Sequence, residues 1–219
     1  MKFSPHAIAA GTRGHLIQGG TDGKVCTDTR AIEAGDWFLA LKGERFDAHD
    51  FLDAAIQAGA CGVVAERVPE GWSAGLVQVD DGLEALQNLG RHVRRGFEGP
   101  VVGITGSAGK TTTRALVGLV LDPLGMVHQT KGNFNNHIGL PLTLLAAPED
   151  ADVLVLEMGM NHAGELSALT KQVRPDIALI TTIAEVHIEH FSDIYGIADA
   201  KAEIFEGLAD NGIAILNKD

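Results

Sequence analysis

The run Val101-Val-Gly-Ile-Thr-Gly-Ser-Ala-Gly-Lys-Thr-Thr-Thr113 has the residue types and spacing to hold an anion. A β-branched stretch leads into the turn Gly106-Ser107-Ala108-Gly109, and Lys110-Thr111-Thr112 open a helix. Such a turn presents successive backbone N–H groups, and the helix start adds the positive end of its dipole. Lys110 can then reach the β- and γ-phosphates of a nucleotide, with the Thr111 hydroxyl on Mg²⁺. The strict phosphate-loop pattern places a glycine five residues before Gly109, where this chain has Ile104 between Gly103 and Gly106. An ordinary strand-to-helix turn is the alternative. The order strand, glycines, lysine, helix argues for phosphate.

Other groups fall where chemistry is expected. Glu157 ends the apolar run Val153-Leu-Val-Leu, and a carboxylate at a buried strand end beside a phosphate loop suits Mg²⁺. A capping or surface glutamate is the competing reading. His187, Glu189 and His190 have the donor types of a zinc site, but no third separated ligand has zinc-like spacing, so His187 reads as a loop histidine. Lys201, in a helix of mixed charge, reads as a solvated lysine. Asn133, Asn135 and Asn136 crowd the stretch 129–141, offering donors and acceptors to a polar ligand or carboxylate, or simply forming a turn-rich connector. In Asp28-Thr29-Arg30 the guanidinium can fork onto a phosphate or pair at the surface with a carboxylate.

These groups need a scaffold. Apolar strands at 101–105, 126–129, 152–157, 177–181 and 212–216 alternate with helices at 110–121, 140–146, 163–172 and 197–208. That alternation predicts a parallel sheet covered on both faces, with ligands at the carboxyl ends of its strands. Gly106–Thr111, Glu157 and the loop after Thr181 should therefore converge. The first half predicts a smaller mixed α/β domain: a helix from Ser4-Pro5 to Gly11, strands at 24–27, 37–41, 61–66 and 76–79, a helix from Phe51 to Gly59, and a longer one capped at Asp80 or Asp81. Glu98-Gly99-Pro100 marks the boundary, giving domains 1–98 and 99–219.

Composition narrows the function. The net charge is −12, with ten Lys/Arg against fourteen Asp/Glu before residue 101 and seven against fifteen after it. So acidic a phosphate-binding half argues against nucleic acid as partner. Two cysteines form no framework, the N-terminus lacks an apolar leader core, and no run approaches membrane-spanning length, so a cytoplasmic protein is expected. Nothing implies an oligomer. Asn217-Lys218-Asp219 looks like the start of a guanine-reading motif, yet the Asp-x-x-Gly at Asp122–Gly125 follows the phosphate-loop helix directly instead of a strand.

Taken in order, these segments resemble the Mur ligases of peptidoglycan synthesis. The phosphate loop reads Gly-Ile-Thr-Gly-Ser-Ala-Gly-Lys-Thr-Thr as that family writes it, which accounts for Ile104. Further likeness lies in Thr130–Pro141, Leu156–Glu165, His187-Ile-Glu-His-Phe191, Ala200–Phe205, Asp28-Thr-Arg30, Gly35–Phe38 and Lys42–Phe51. Thr29 stands where serine is more usual, and its hydroxyl survives. The resemblance implies a UDP-sugar domain followed by part of a P-loop ATPase domain, with a C-terminal domain beyond this chain. It implies ATP and Mg²⁺, with UDP-N-acetylmuramoyl-tripeptide and D-alanyl-D-alanine joined through an acyl phosphate. It implies that Gly106–Thr112 hold ATP, that Lys110, Glu157, His187 and Lys201 serve catalysis, and that Thr29, Arg30, Asn135 and Asn136 touch substrate. Thr111, Glu157, His187 and a carbamylated Lys201 are then the Mg²⁺ ligands. By itself the chain is expected to show little ligase activity. A non-catalytic binding fragment and a sister ligase of other specificity are the alternatives.

Overall fold

Ser4 accepts a hydrogen bond from the Ala7 amide at 3.2 Å and Pro5 follows it, so the first helix starts with its orphan donors accounted for. A computed structural model describes residues 1–186 and 188–218. In chain order its elements are α1 (Pro5–Thr12), β1 (His15–Gln18), β2 (Val25–Cys26), β3 (Trp37–Leu39), α2 (Leu52–Gln57), β4 (Gly62–Ala65), β5 (Gly75–Gln78), α3 (Gly82–Gly96), β6 (Val101–Thr105), α4 (Lys110–Leu121), β7 (Val127–Gln129), α5 (Gly139–Leu145), β8 (Val153–Glu157), α6 (Glu165–Val173), β9 (Ile177–Ile180), α7 (Ile194–Ala202) and β10 (Ile213–Leu216). The chain divides into two compact units, Met1–Val93 and Arg94–Asp219.

The first unit holds a mixed sheet in the order β1-β5-β4-β3-β2, with β2 to β5 parallel and β1 antiparallel to β5. Trp37, Phe38, Leu39, Val63 and Val64 are buried, as a sheet covered on both faces requires. Sequence patterning did not predict β1. It is a four-residue edge strand, largely exposed, that exists through pairing with β5. The helix expected from Phe51 begins earlier, as a 3-10 turn over Ala48–Phe51. Asp47 causes this by accepting from the His49 amide at 3.0 Å and from His49 Nδ1 at 2.6 Å. Nε2 of the buried His49 ring accepts in turn from the Glu66 amide at 3.1 Å.

The second unit is a fully parallel sheet in the order β10-β9-β6-β8-β7. Val102 and Ile104 of β6 and Val153 and Val155 of β8 form one core face, against which Val117 and Leu121 of α4 pack. The expected cover does not extend to β10, whose four residues are exposed. No helix follows that strand within the described residues. The helix expected over 197–208 is instead α7, capped by Asp193, and a 3-10 turn over Glu203–Gly207. Three hydrogen bonds draw the chain off the helical path. Glu203 accepts from the Gly164 and Ser167 amides, and the Thr170 hydroxyl donates to the Ile204 carbonyl at 2.6 Å.

Buried His128 donates from Nε2 to the Thr143 carbonyl at 2.7 Å, and burial lowers its pKa from 6.5. The unfolded chain therefore binds a proton near pH 6.5 that the fold resists, so stability falls as pH drops below that value. Melting temperatures between pH 7 and 5 are expected to decline less steeply for His128→Gln than for the parent. Equal slopes would remove His128 as the cause.

Candidate nucleotide site

The turn after β6 folds as its glycines demand. Gly106 has φ +149°, and a Cβ there would lie 1.9 Å from Thr181 Oγ1. Gly109 has φ +82° and precedes α4, whose N-cap makes no side-chain hydrogen bond, so the first amides of α4 have no intrahelical acceptor. Lys110 Nζ donates to the Gly106 carbonyl at 2.7 Å, which places the ammonium over the turn. Burial lowers the Lys110 pKa, and the nearby Glu157 charge works against that shift. The end of β9 braces the turn from beneath: the Thr181 amide donates to the Thr105 carbonyl at 2.9 Å and its hydroxyl to the Ala108 carbonyl at 2.6 Å. Ser107 departs from a simple cradle role. Its amide donates to the Thr182 carbonyl at 2.8 Å, and its hydroxyl bonds both backbone groups of Ala184 at 3.0 Å.

Glu157 sits at the end of β8, in register with Ile104 and only 2 % exposed. It is therefore not a surface glutamate. Its Oε2 accepts from the Thr111 hydroxyl at 3.0 Å and its Oε1 from Asn135 Nδ2 at 2.8 Å. Its amide donates to Thr130 Oγ1 at 2.9 Å, and Arg114 Nη1 lies 3.9 Å from Oε2. A hydroxyl and a carboxylate thus meet beside the phosphate turn. That hard-oxygen pair fits Mg²⁺, which takes its remaining ligands from water and phosphate. No group of three or more His, Cys, Asp or Glu forms a metal cluster among the described residues. His187 lies outside the described residues.

Lys201 is not the solvated lysine expected from its helix. It is 4 % exposed, and burial together with the neighbouring Lys110 charge pushes its pKa down to about 8. A buried ammonium beside another cation is costly, which marks the position as chemically special.

The asparagine-rich segment divides its labour. Asn135 bonds Glu157 and accepts from the Gly159 amide at 2.8 Å, whereas Asn136 Oδ1 accepts from the Ile138 and Gly139 amides where α5 begins. In the first unit, Thr29 opens a 3-10 turn, and Arg30 forks onto Asp28 at 2.9 and 2.7 Å, holding that carboxyl down to about 2. Here the surface ion pair is the arrangement seen.

Sequence reasoning overlooked Arg114, Thr130 and Thr181. Arg114 carried a signal, standing four residues after Lys110 on the same helix face. Thr130 and Thr181 stand at strand ends, where the carboxyl-end rule points.

No helix among the described residues is long and apolar enough to cross a membrane. A family model described as "Mur ligase middle domain" matches residues 104–219, and one described as "Mur ligase family, catalytic domain" matches residues 24–94. A Bacillus subtilis protein named UDP-N-acetylmuramoyl-tripeptide--D-alanyl-D-alanine ligase is 46 % identical over 195 residues, covering 87 % of this chain and 42 % of its own length. Its Escherichia coli namesake is 43 % identical, with 89 % and 43 % covered. A crystal structure of MurF from Acinetobacter baumannii superposes with a TM-score of 0.94 at 35 % identity, over 100 % of this chain and 49 % of that one. MurF ligase from Thermotoga maritima in complex with ADP gives 0.82 at 35 % identity, over 90 % and 46 %. The chain thus spans less than half the length of these relatives.

Proposed function

This chain belongs to the Mur ligase family, and from that membership we propose that it serves the ATP-driven joining of D-alanyl-D-alanine to UDP-N-acetylmuramoyl-tripeptide, in the cytoplasm, for peptidoglycan precursor synthesis. The observation that carries the reading is the meeting of Thr111 and Glu157 beside a glycine turn under the Lys110 ammonium.

In this reading the first amides of α4, with the Gly106–Thr112 segment apart from the engaged Ser107 amide, grip the triphosphate, and Lys110 neutralises charge between the β- and γ-phosphates. The tripeptide carboxylate attacks the γ-phosphorus and ADP leaves, giving an acyl phosphate. The dipeptide amine then attacks the acyl carbon, loses a proton, and inorganic phosphate departs. Thr111 and Glu157 would hold Mg²⁺, which supplies charge neutralisation at the phosphates. Lys201 and His187 complete the ligand set that the family resemblance implies. Burial supports the role of Lys201: its neutral amine can add CO₂ and release a proton, so that a carbamate replaces an uncompensated cation. Asn135 and Asn136 would touch substrate, and the bond from Asn135 to Glu157 supports that role for Asn135. The first unit takes the uridine nucleotide through Thr29, Arg30 and the Lys42–Phe51 loop, where Phe46 and Phe51 stack in the open with ring centroids 5.0 Å apart.

Calorimetric titration tests this. ATP with Mg²⁺ is expected to bind and GTP not to compete, and UDP-N-acetylmuramoyl-tripeptide is expected to bind independently of ATP. Binding of both without phosphate release on adding D-alanyl-D-alanine would favour a binding module over a catalyst. Failure to bind ATP, or equal binding of GTP, overturns the reading.

A further inference from the structure

Arg114 stands one helical turn after Lys110, with its side chain only 12 % exposed. Its Nη1 donates to the Thr130 carbonyl and lies 3.9 Å from Glu157 Oε2, while its Nε is buried without a hydrogen-bond partner. Burying a guanidinium with an unsatisfied donor is unfavourable, so its own hydrogen bonding does not explain the placement. The surroundings do. Thr130 accepts from the Glu157 amide, and Asn135 of the same segment holds Glu157 Oε1. Thr111, on the same helix as Arg114, holds Oε2. One cation therefore joins the phosphate-loop helix, the start of the asparagine-rich segment and the buried carboxylate.

We propose that Arg114 is a positioning residue for the metal–nucleotide site: it fixes the Glu157 carboxylate and the Thr130 carbonyl against α4, so that the Thr111 and Glu157 oxygens present themselves together. The proposal rests on the nucleotide reading above. Arg114 touches neither metal nor phosphate in this role and acts through Glu157. The sign of its effect is diagnostic. As a bare positive charge near a cation site, Arg114 opposes metal binding, and removing it tightens the site. As a positioning group its removal loosens the site, since outer-shell partners typically contribute about 10- to 100-fold to metal affinity.

The experiment is calorimetric titration of the parent protein, Arg114→Met and Arg114→Lys with ADP, once in chelator and once with Mg²⁺. Metal-free ADP binding is expected to be equal in all three, because the glycine turn is untouched. The Mg²⁺-dependent tightening is expected to fall about tenfold in Arg114→Met and to return in Arg114→Lys, which keeps a charge and a donor for Thr130. Should the methionine variant melt at the working temperature, Arg114→Gln replaces it with the same expectation. Unchanged or greater tightening in the neutral variant overturns the proposal, as does equal loss of metal-free binding. A parent protein that binds ADP with no response to Mg²⁺ sinks the metal reading itself, and one that binds no ADP sinks the nucleotide reading.

Discussion

Replacing Lys110 with methionine is expected to weaken ATP binding on the order of a hundredfold, about 2.7 kcal/mol, with little loss of fold stability. The ammonium is half-buried, its pKa is lowered by that burial, and its hydrogen bond closes back on the Gly106 carbonyl. It thus contributes little to packing, and its charge is held where a phosphate would meet it. Charge-assisted contacts of this kind are worth more than neutral ones because the site excludes much of the competing water. The same substitution removes a charge that helps depress Lys201, so the Lys201 amine is expected to titrate higher in the variant. Calorimetry reads the first effect and site-labelled NMR the second. ATP affinity within about threefold of the parent would show that Lys110 is not a phosphate ligand.

Gly106→Ala is expected to cost about 3 kcal/mol or more of stability and to abolish nucleotide binding. Two penalties add at this position. The backbone sits at φ +149°, and the new Cβ would fall 1.9 Å from Thr181 Oγ1 and 3.1 Å from the Thr181 amide. Thr181 cannot yield freely, because its hydroxyl and amide hold the Ala108 and Thr105 carbonyls that shape the turn. A fall in melting temperature on the order of 10 °C is expected. Gly132→Ala is the control, since Gly132 also has positive φ (+55°) but a Cβ there meets nothing within 4 Å. If both variants melt alike, steric closure against Thr181 is not what shapes the turn.

Much of the second unit was legible because its signals are local. The β6 and α4 spans follow from a largely β-branched run, a glycine turn and an uninterrupted helical stretch, and the structure reproduces both. The strand ending at Glu157 and the parallel order around it follow from apolar runs alternating with helices. Where contacts between distant segments decide the outcome, the reading failed. β1 needs β5, and the early end of α7 needs Thr170 and the amides at the start of α6. In the site, Asn135 and Asn136 are chemically identical neighbours, yet one reaches Glu157 and the other holds the Gly139 amide.

By itself, then, the amino-acid order determined an α/β chain with a glycine turn opening a helix, a carboxylate at a strand end and an acidic composition. These depend on periodicity, glycine conformations and charge, which act over a few residues. Tertiary structure alone decided that Lys201 is buried beside Lys110, that Ser107 is engaged by Thr182 and Ala184, and that Arg114 meets Glu157. Burial and partner choice arise only when elements far apart in sequence exclude water from one another, and no local pattern encodes which side chains that closure brings together.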